Sequence, residues 1–253
     1  LGGTDRTSIV YDFPGRVLAK SIIHTKPGET DATILEEFSY DHAGRLLTQY
    51  HKVNDRPKVI LNNHGYNAIG QLVEKNLHAV SEGYLQSVDY RYNIRGWLTH
   101  INNANLSHDG GLTNDEANDY FGFELKYNNT TQSGTQAQYN GNISEAVWKT
   151  TGSNQQTYSY SYDPLNRLKQ GKYIDLNNPL NNNRFNESIT NYDGNGNIKG
   201  LQRRSNLTGL LDDLEYSYMG NQLLGVKDAA NKTEGFKDGD NTDNDYTYDP
   251  NGN

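Results

Sequence analysis

A tyrosine followed by a tight turn recurs nine times along this chain, and that recurrence limits the fold more than any other feature. The first copies are Tyr11-Asp12-Phe13-Pro14-Gly15-Arg16-Val17, Tyr40-Asp41-His42-Ala43-Gly44-Arg45-Leu46 and Tyr66-Asn67-Ala68-Ile69-Gly70-Gln71-Leu72. The series continues at Tyr92-Asn93-Ile94-Arg95-Gly96-Trp97-Leu98, Tyr139-Asn140-Gly141-Asn142-Ile143 and Tyr162-Asp163-Pro164-Leu165-Asn166-Arg167-Leu168. The last three are Tyr192-Asp193-Gly194-Asn195-Gly196-Asn197-Ile198, Tyr218-Met219-Gly220-Asn221-Gln222-Leu223 and Tyr248-Asp249-Pro250-Asn251-Gly252-Asn253. The steps between tyrosines are 29, 26, 26, 47, 23, 30, 26 and 30 residues. A near-constant period of this size marks a repeat architecture, in which a unit too small to bury a face alone stacks on its neighbours.

Each repeat has a local physical reading. Aromatic and polar residues alternate before the turn, as in Phe38-Ser39-Tyr40, Val88-Asp89-Tyr90-Arg91-Tyr92, Tyr158-Ser159-Tyr160-Ser161-Tyr162, Leu214-Glu215-Tyr216-Ser217-Tyr218 and Tyr246-Thr247-Tyr248. A period of two is that of a half-buried strand. Asp or Asn then opens the turn, because its short side chain bonds the backbone two residues on. Glycine follows, taking the positive φ that closes a type I turn into a hairpin. Gly15, Gly44, Gly70 and Gly96 are therefore expected at positive φ. Asn166 replaces glycine at that position, where Asn is the next best tolerated residue. Pro164 and Pro250 suit the first central turn position, whereas Pro14 sits one place later, where a type I turn disfavours it. Met219-Gly220-Asn221 reads as a shortened, two-residue loop. The predicted fold is all-β: an array of antiparallel hairpins in one continuous curved or spiral sheet, with on the order of 15–20 short strands. Tyr40, Tyr66, Tyr92, Tyr162, Tyr192 and Tyr218 are expected to be mostly buried between neighbouring repeats.

Composition agrees with a thin structure. Only 33% of the 253 residues are hydrophobic, which argues against a thick core, while 19 tyrosines and patterned strands argue against disorder. A tyrosine ring packs while its hydroxyl stays wet. The formal charge of −8 disfavours nucleic acid and anionic membranes as partners. No stretch approaches the ~18 apolar residues of a membrane span. The absence of Cys removes disulfides and thiolate sites. With no initiator Met or leader, and a last repeat that stops in mid-hairpin, the sequence reads as a piece of something longer.

The chain reads as a single array over residues 1–253, with loop insertions near 102–118, 176–187 and 227–245. These are rich in Asn, Asp and Gly and look mobile. The stretch 119–127 reads as an extra strand or hairpin.

Candidate chemistry is weak beside the repeat pattern. The run 238–245 is Asp-rich, but it departs from a calcium loop by carrying Asp243 where glycine is required and by lacking the final Glu. Asp193-x-Asn195-x-Asn197 begins like such a loop and then places Ile198 at the glycine position. Solvated turns are the better reading of both. The seven histidines form no HxH or HxxxH pair, no GxSxG elbow is present, and no acid pair stands out among 31 acidic residues. No catalytic residue, metal site or cofactor is expected. Trp97 and Trp148, the only tryptophans, are candidates for stacking on a carbohydrate. Tyr11, Tyr139, Tyr248 and the other repeat tyrosines, with Asp41, Arg45, Asp163, Arg167, Asp193, Gly196 and Asp249, are read as structural. Arg16, Arg45 and Arg167 are expected to pack on tyrosines or pair with Asp of a neighbouring repeat.

The Tyr-Asp-x-x-Gly-Arg-Leu repeats, over nearly the whole chain, resemble the YD repeats of RHS proteins and teneurins. The strings Asp89-Tyr90-Arg91-Tyr92-Asn93-Ile94-Arg95-Gly96-Trp97-Leu98-Thr99 and Asp119-Tyr120-Phe121-Gly122-Phe123-Glu124-Leu125 resemble bacterial RHS proteins in particular. The resemblance implies a spiral of hairpins belonging to a hollow β-shell that encloses a C-terminal polypeptide, often a toxin. It implies a secreted or cell-surface protein and a fragment without enzymatic activity, since Asp249-Pro250-Asn251-Gly252 does not match the family's self-cleavage site. The alternative is a carbohydrate-binding or adhesion module presenting aromatic residues on the sheet.

Overall fold

The structure, a computed structural model, describes residues 2–112, 114–116, 118–206, 209–230, 234–237 and 244–252. It is all-β apart from one 3-10 turn at Pro179–Asn181. Strands β1 (Thr4–Tyr11), β2 (Val17–Thr25), β3 (Ala32–Tyr40), β4 (Leu46–Val53), β5 (Val59–Tyr66), β6 (Leu72–Val80), β7 (Gly83–Tyr92) and β8 (Leu98–Ile101) are followed by a long insertion. After it come β9 (Phe121–Lys126), β10 (Glu145–Thr150), β11 (Gln156–Tyr162), β12 (Leu168–Asp175), β13 (Glu187–Tyr192), β14 (Ile198–Arg204), β15 (Leu210–Met219) and β16 (Gln222–Asp228). All sixteen belong to an open antiparallel sheet in chain order. Every strand pairs with its neighbours in chain order, as expected of a continuous array of hairpins. By packing, the chain divides into two compact units, residues 1–122 and 123–253, with the division inside β9.

The turn chemistry predicts the hairpins correctly. At each full repeat the glycine amide donates to the Asp or Asn carbonyl three residues back, as Gly44 does to Asp41 at 3.0 Å and Gly70 to Asn67 at 2.9 Å. The Asp or Asn amide in turn donates to the residue after the glycine. Strand register slips by one residue just before Tyr11, Tyr40, Tyr66, Tyr92, Tyr162, Tyr192 and Tyr218. That combination is a type I turn closed by a left-handed residue, the three-residue hairpin loop. Gly44 has φ +82° and Asn166 φ +62°, as their positions require. The shortened copy closes as a two-residue loop, with Met219 opposite Gln222. Pro14 is accommodated, and the Gly15 amide still reaches the Asp12 carbonyl at 3.1 Å; nothing in the structure explains the choice of proline there. The ninth alternating stretch is not a strand. Instead the amides of Asp245 and Tyr246 both donate to the carbonyl of Leu224 on β16.

Gly44→Val is expected to destabilise the protein by more than about 1 kcal/mol, since a branched side chain is strained in the left-handed region. Its Cβ would also stand 3.0 Å from Arg16 Nη1. Denaturant unfolding of the variant against the parent checks this.

The core is thin, as the composition requires. Among the described residues the buried apolar set is Ala104, Tyr127, Ala146, Val147, Tyr173, Leu214 and Val226. Buried polar groups outnumber them and include Glu145, Asn114, Thr157 and Asp212, each wholly inaccessible. The repeat tyrosines Tyr40, Tyr66, Tyr92, Tyr162, Tyr192 and Tyr218 are mostly buried, as expected, though none is fully enclosed. Tyr11, Tyr139 and Tyr248 are more exposed still.

Candidate functional site

The recurrent element is a relay between consecutive repeats. In repeats with Asp and Arg, the carboxylate accepts the backbone N–H four residues on and also holds the guanidinium of its own repeat; Asp41 and Asp163 accept the N–H two residues on as well, where the first repeat has Pro14. Arg45 Nε lies 2.6 Å from Asp41 Oδ2, Arg167 Nε 2.7 Å from Asp163 Oδ2 and Arg16 Nε 2.6 Å from Asp12 Oδ2. The arginine thus pairs within its repeat, not with a neighbouring one. Its reach to the neighbour is through the ring: the guanidinium carbon lies 5.1 Å from the Tyr40 centroid for Arg16, 4.7 Å from Tyr66 for Arg45 and 4.2 Å from Tyr192 for Arg167. Such a cation–π contact contributes about 0.5–1 kcal/mol at exposed sites. Copies without arginine keep the shape. Asn67 Nδ2 donates to Gln71 Oε1 at 2.8 Å, and Asn197 Nδ2 donates to Asp193 Oδ2 at 2.9 Å.

The tyrosine hydroxyl completes the relay by donating to the opening carbonyl of the preceding second strand. Tyr40 donates to Val17, Tyr66 to Leu46, Tyr92 to Leu72 and Tyr162 to Ile143. Tyr192 donates to Leu168, Tyr218 to Ile198 and Tyr248 to Leu223, with all seven distances between 2.6 and 2.9 Å. Hydrogen bonding holds the turn carboxyls below the usual carboxylate range. At Asp41 the largest contributor is the Arg45 amide, and at Asp193 it is the Asn197 side chain.

The first two insertions are built structures rather than loose loops among their described residues. In residues 102–118 the wholly buried Asn114 donates to Asp119 Oδ2 at 2.6 Å, and Asn103 donates to the Ser107 carbonyl at 2.6 Å. Asn102 accepts from the Asp89 amide and donates to the Phe121 carbonyl, anchoring the insertion to β7 and β9. In the second insertion Asp175 accepts from the amides of Asn177 and Asn178 and from Asn181 Nδ2. The expected extra strand is β9. Residues 238–243 of the acidic run lie outside the described residues. The Asp193 carboxylate is taken up by its own turn.

Folding also brings together three carboxylates that no sequence spacing marks. Asp89, Asp115 and Glu116 place ligand-type oxygens within 4.8 Å of one another, and Asp89 Oδ2 accepts the Asp115 amide. Burial, then the hydrogen bond and charge of Asp115, push Glu116 up to about 8, while the Glu116 hydrogen bond holds Asp115 low. At neutral pH, Glu116 therefore keeps its proton and donates it in a hydrogen bond to the Asp115 carboxylate. A folded-state value above the ordinary one stabilises the fold at low pH, and the stabilisation is lost as pH rises from about 4.5 through about 8. Amide exchange across the insertion, corrected for intrinsic rates, is expected to quicken between pH 5 and pH 9. Glu116→Gln is expected to flatten that dependence.

The two tryptophans have different surroundings. Trp97 sits in a turn of the first compact unit under the Arg95 guanidinium, 5.0 Å from its ring. Trp148, in the second, lines a cleft of about 380 Å³ with Tyr158, Tyr173 and Phe185. Trp148, Tyr158 and Tyr160 form a near-parallel stack, with centroids 5.6 and 6.0 Å apart and 17° between planes in each pair. Tyr173 meets Tyr158 edge-on at 5.7 Å, and Gln156, Glu187 and Arg203 supply polar groups at the rim. Gly171 makes room for the stack, since a Cβ there would lie 3.3 Å from Tyr160. The alternation Tyr158-x-Tyr160 was visible in the sequence, but the convergence of Tyr173 and Phe185 was not.

No family model matches the chain, and no curated protein matches it significantly. Among solved structures, a chain of the "TcdB2-TccC3-Cdc42" crystal structure is similar at 12% identity and a TM-score of 0.31. The match covers 89% of this chain but only 14% of that one. At that score the likeness carries no argument about function.

Proposed function

We propose that this chain is a structural segment of an RHS-type β-shell, secreted or carried on the cell surface, that encloses a C-terminal polypeptide of its parent protein. The observation that carries this reading is the relay itself: Tyr hydroxyl, Arg or Gln cover and Asp or Asn turn recur from repeat to repeat. Residues that recur serve a need that recurs, and hairpin stacking is such a need. On this reading the chain is not an enzyme, and its partner is the enclosed polypeptide, with no nucleic acid or membrane insertion involved. The test is limited proteolysis of the parent protein with its downstream segment attached. That segment should survive protease far longer than when expressed alone, and Arg45→Ala with Arg167→Ala should shorten its survival. Equal digestion rates in the intact parent and in isolation would sink the shell reading.

The aromatic cleft favours a second reading, a carbohydrate-binding module, because stacked rings beside planar polar side chains suit a sugar ring. It commits to Trp148 rather than Trp97. A micromolar hit on a glycan array that Trp148→Ala abolishes would establish it.

A further inference from the structure

We propose that Lys126 and Glu145 join through an amide bond between Nζ and Cδ, formed by the folded chain without an added reagent. The inference is independent of both readings above.

Lys126 closes β9 and Glu145 opens β10, the next strand of the sheet. The Lys126 carbonyl accepts both the amide and the hydroxyl of Ser144, at 2.8 and 3.0 Å, which fixes the two backbones side by side. Lys126 is 7% exposed and Glu145 wholly buried. Nζ lies 3.8 Å from Glu145 Oε2 and is flanked on β9 itself by Glu124 Oε2, also at 3.8 Å. Glu145 Oε1 accepts the backbone amides of Thr131 and Gln132 at 2.9 and 2.6 Å. The Thr131 hydroxyl bridges the two side chains. It accepts from Nζ at 3.0 Å and donates to Glu145 Oε2 at 2.8 Å.

A simple ion pair requires none of these additions, whereas an acyl transfer requires all of them. An amine is the nucleophile, two N–H groups hold the oxygen on which negative charge develops, and a hydroxyl carries protons to the oxygen that leaves. One proton passes from Nζ through the Thr131 hydroxyl to Oε2, giving a neutral amine beside a neutral acid. Removal from water favours this step, because an ion pair loses solvation that its neutral form does not need. The Nζ lone pair then bonds to Cδ, and the carbonyl π pair moves onto Oε1 under the two amides. A second Nζ proton follows the same path to Oε2, the carbonyl reforms, and Oε2 departs as water. Ammonium and carboxylate thus become one amide and one water, with no oxidant or co-reactant. Nζ must first approach Cδ to about 3–3.5 Å, the separation of reacting atoms. The flexible four-carbon lysine stem permits that shift. The bond would close the loop 126–145 and restrict the unfolded chain as a disulfide does, in a sequence that has no cysteine.

The test is the mass of the intact, full chain, measured in denaturant after incubation in the folded state. It is expected to be lighter than the sequence by one water. Trypsin should then fail to cut after Lys126, so that residues 96–149 leave as one looped peptide, and fragmentation should place the link at Lys126 and Glu145. Lys126→Arg should restore the full mass. Thr131→Val keeps the amide donors but not the hydroxyl, and should lower the rate of water loss after cell-free synthesis at least about tenfold. The full sequence mass in the incubated parent would overturn the proposal, as would a water loss that fragmentation assigns to other residues or that persists in Lys126→Arg. Should either variant fail to fold, the parent's mass and its looped peptide decide the matter alone.

Discussion

Glu145→Leu is expected to cost about 3–5 kcal/mol, the range seen when one partner of a buried charged pair is removed. Glu145 is wholly buried at the start of β10. Its carboxylate accepts the amides of Thr131 and Gln132 at 2.9 and 2.6 Å and the Thr131 hydroxyl at 2.8 Å. Lys126, itself nearly buried, lies 3.8 Å away and donates to the same hydroxyl at 3.0 Å. Leucine would leave two amides and the Thr131 hydroxyl without their acceptor inside the protein, and would remove one of the two carboxylates beside the Lys126 ammonium. Equilibrium unfolding in urea checks the loss, and amide exchange should show residues 128–135 opening first. Glu145→Gln keeps one carbonyl acceptor and should lose clearly less. Equal losses in the two variants would mean that packing, and not the acceptor, holds this loop.

Gly122→Ala is expected to destabilise by about 3 kcal/mol or more, at or beyond the upper end for overpacking a tight site. An added Cβ would stand 1.9 Å from the backbone oxygen of Asn103 and 2.6 Å from its carbonyl carbon. Backbone cannot swing aside as a side chain can, so β9 or the insertion must move. The insertion is anchored next door by Asn102 Nδ2 on the Phe121 carbonyl, 2.9 Å away. The measurements are the unfolding midpoint and the rate at which protease cuts within residues 102–121. A variant that melts like the parent and resists cleavage would show that β9 does not clamp the insertion.

These two residues mark the limit of what sequence reasoning reached. Neither Glu145 nor Gly122 belongs to the repeat pattern, and neither carries a local signal. Glu145 is one of 31 acidic residues, and its role comes from amides 13 and 14 positions earlier in the chain. Gly122 lies at negative or extended φ, so its need for a hydrogen side chain comes from Asn103, not from its own backbone. The Asp89, Asp115 and Glu116 cluster was hidden for the same reason, being joined across 26 residues by a loop that looked featureless. The aromatic cleft was half visible: Trp148 and the Tyr158-Tyr160 alternation could be read, while Phe185 enters from an irregular segment at φ +56°.

What the sequence determined by itself was local and periodic. Asp or Asn, two free residues and a left-handed glycine make a hairpin whatever surrounds them, because the bonds that close the turn lie within five residues. The alternating tyrosines then make strands, and their order along the chain makes the meander. Tertiary structure alone decided how consecutive repeats are joined. Which carbonyl a tyrosine hydroxyl meets, and which ring an arginine covers, depends on groups about 20 or more residues apart, as for Tyr66 with Leu46 and Arg45. Finally it turned two Asn-rich insertions into hydrogen-bonded plugs. Amide side chains read as loop-formers in isolation, but once buried each must find a partner, and folding supplied those partners from strands far away in the chain.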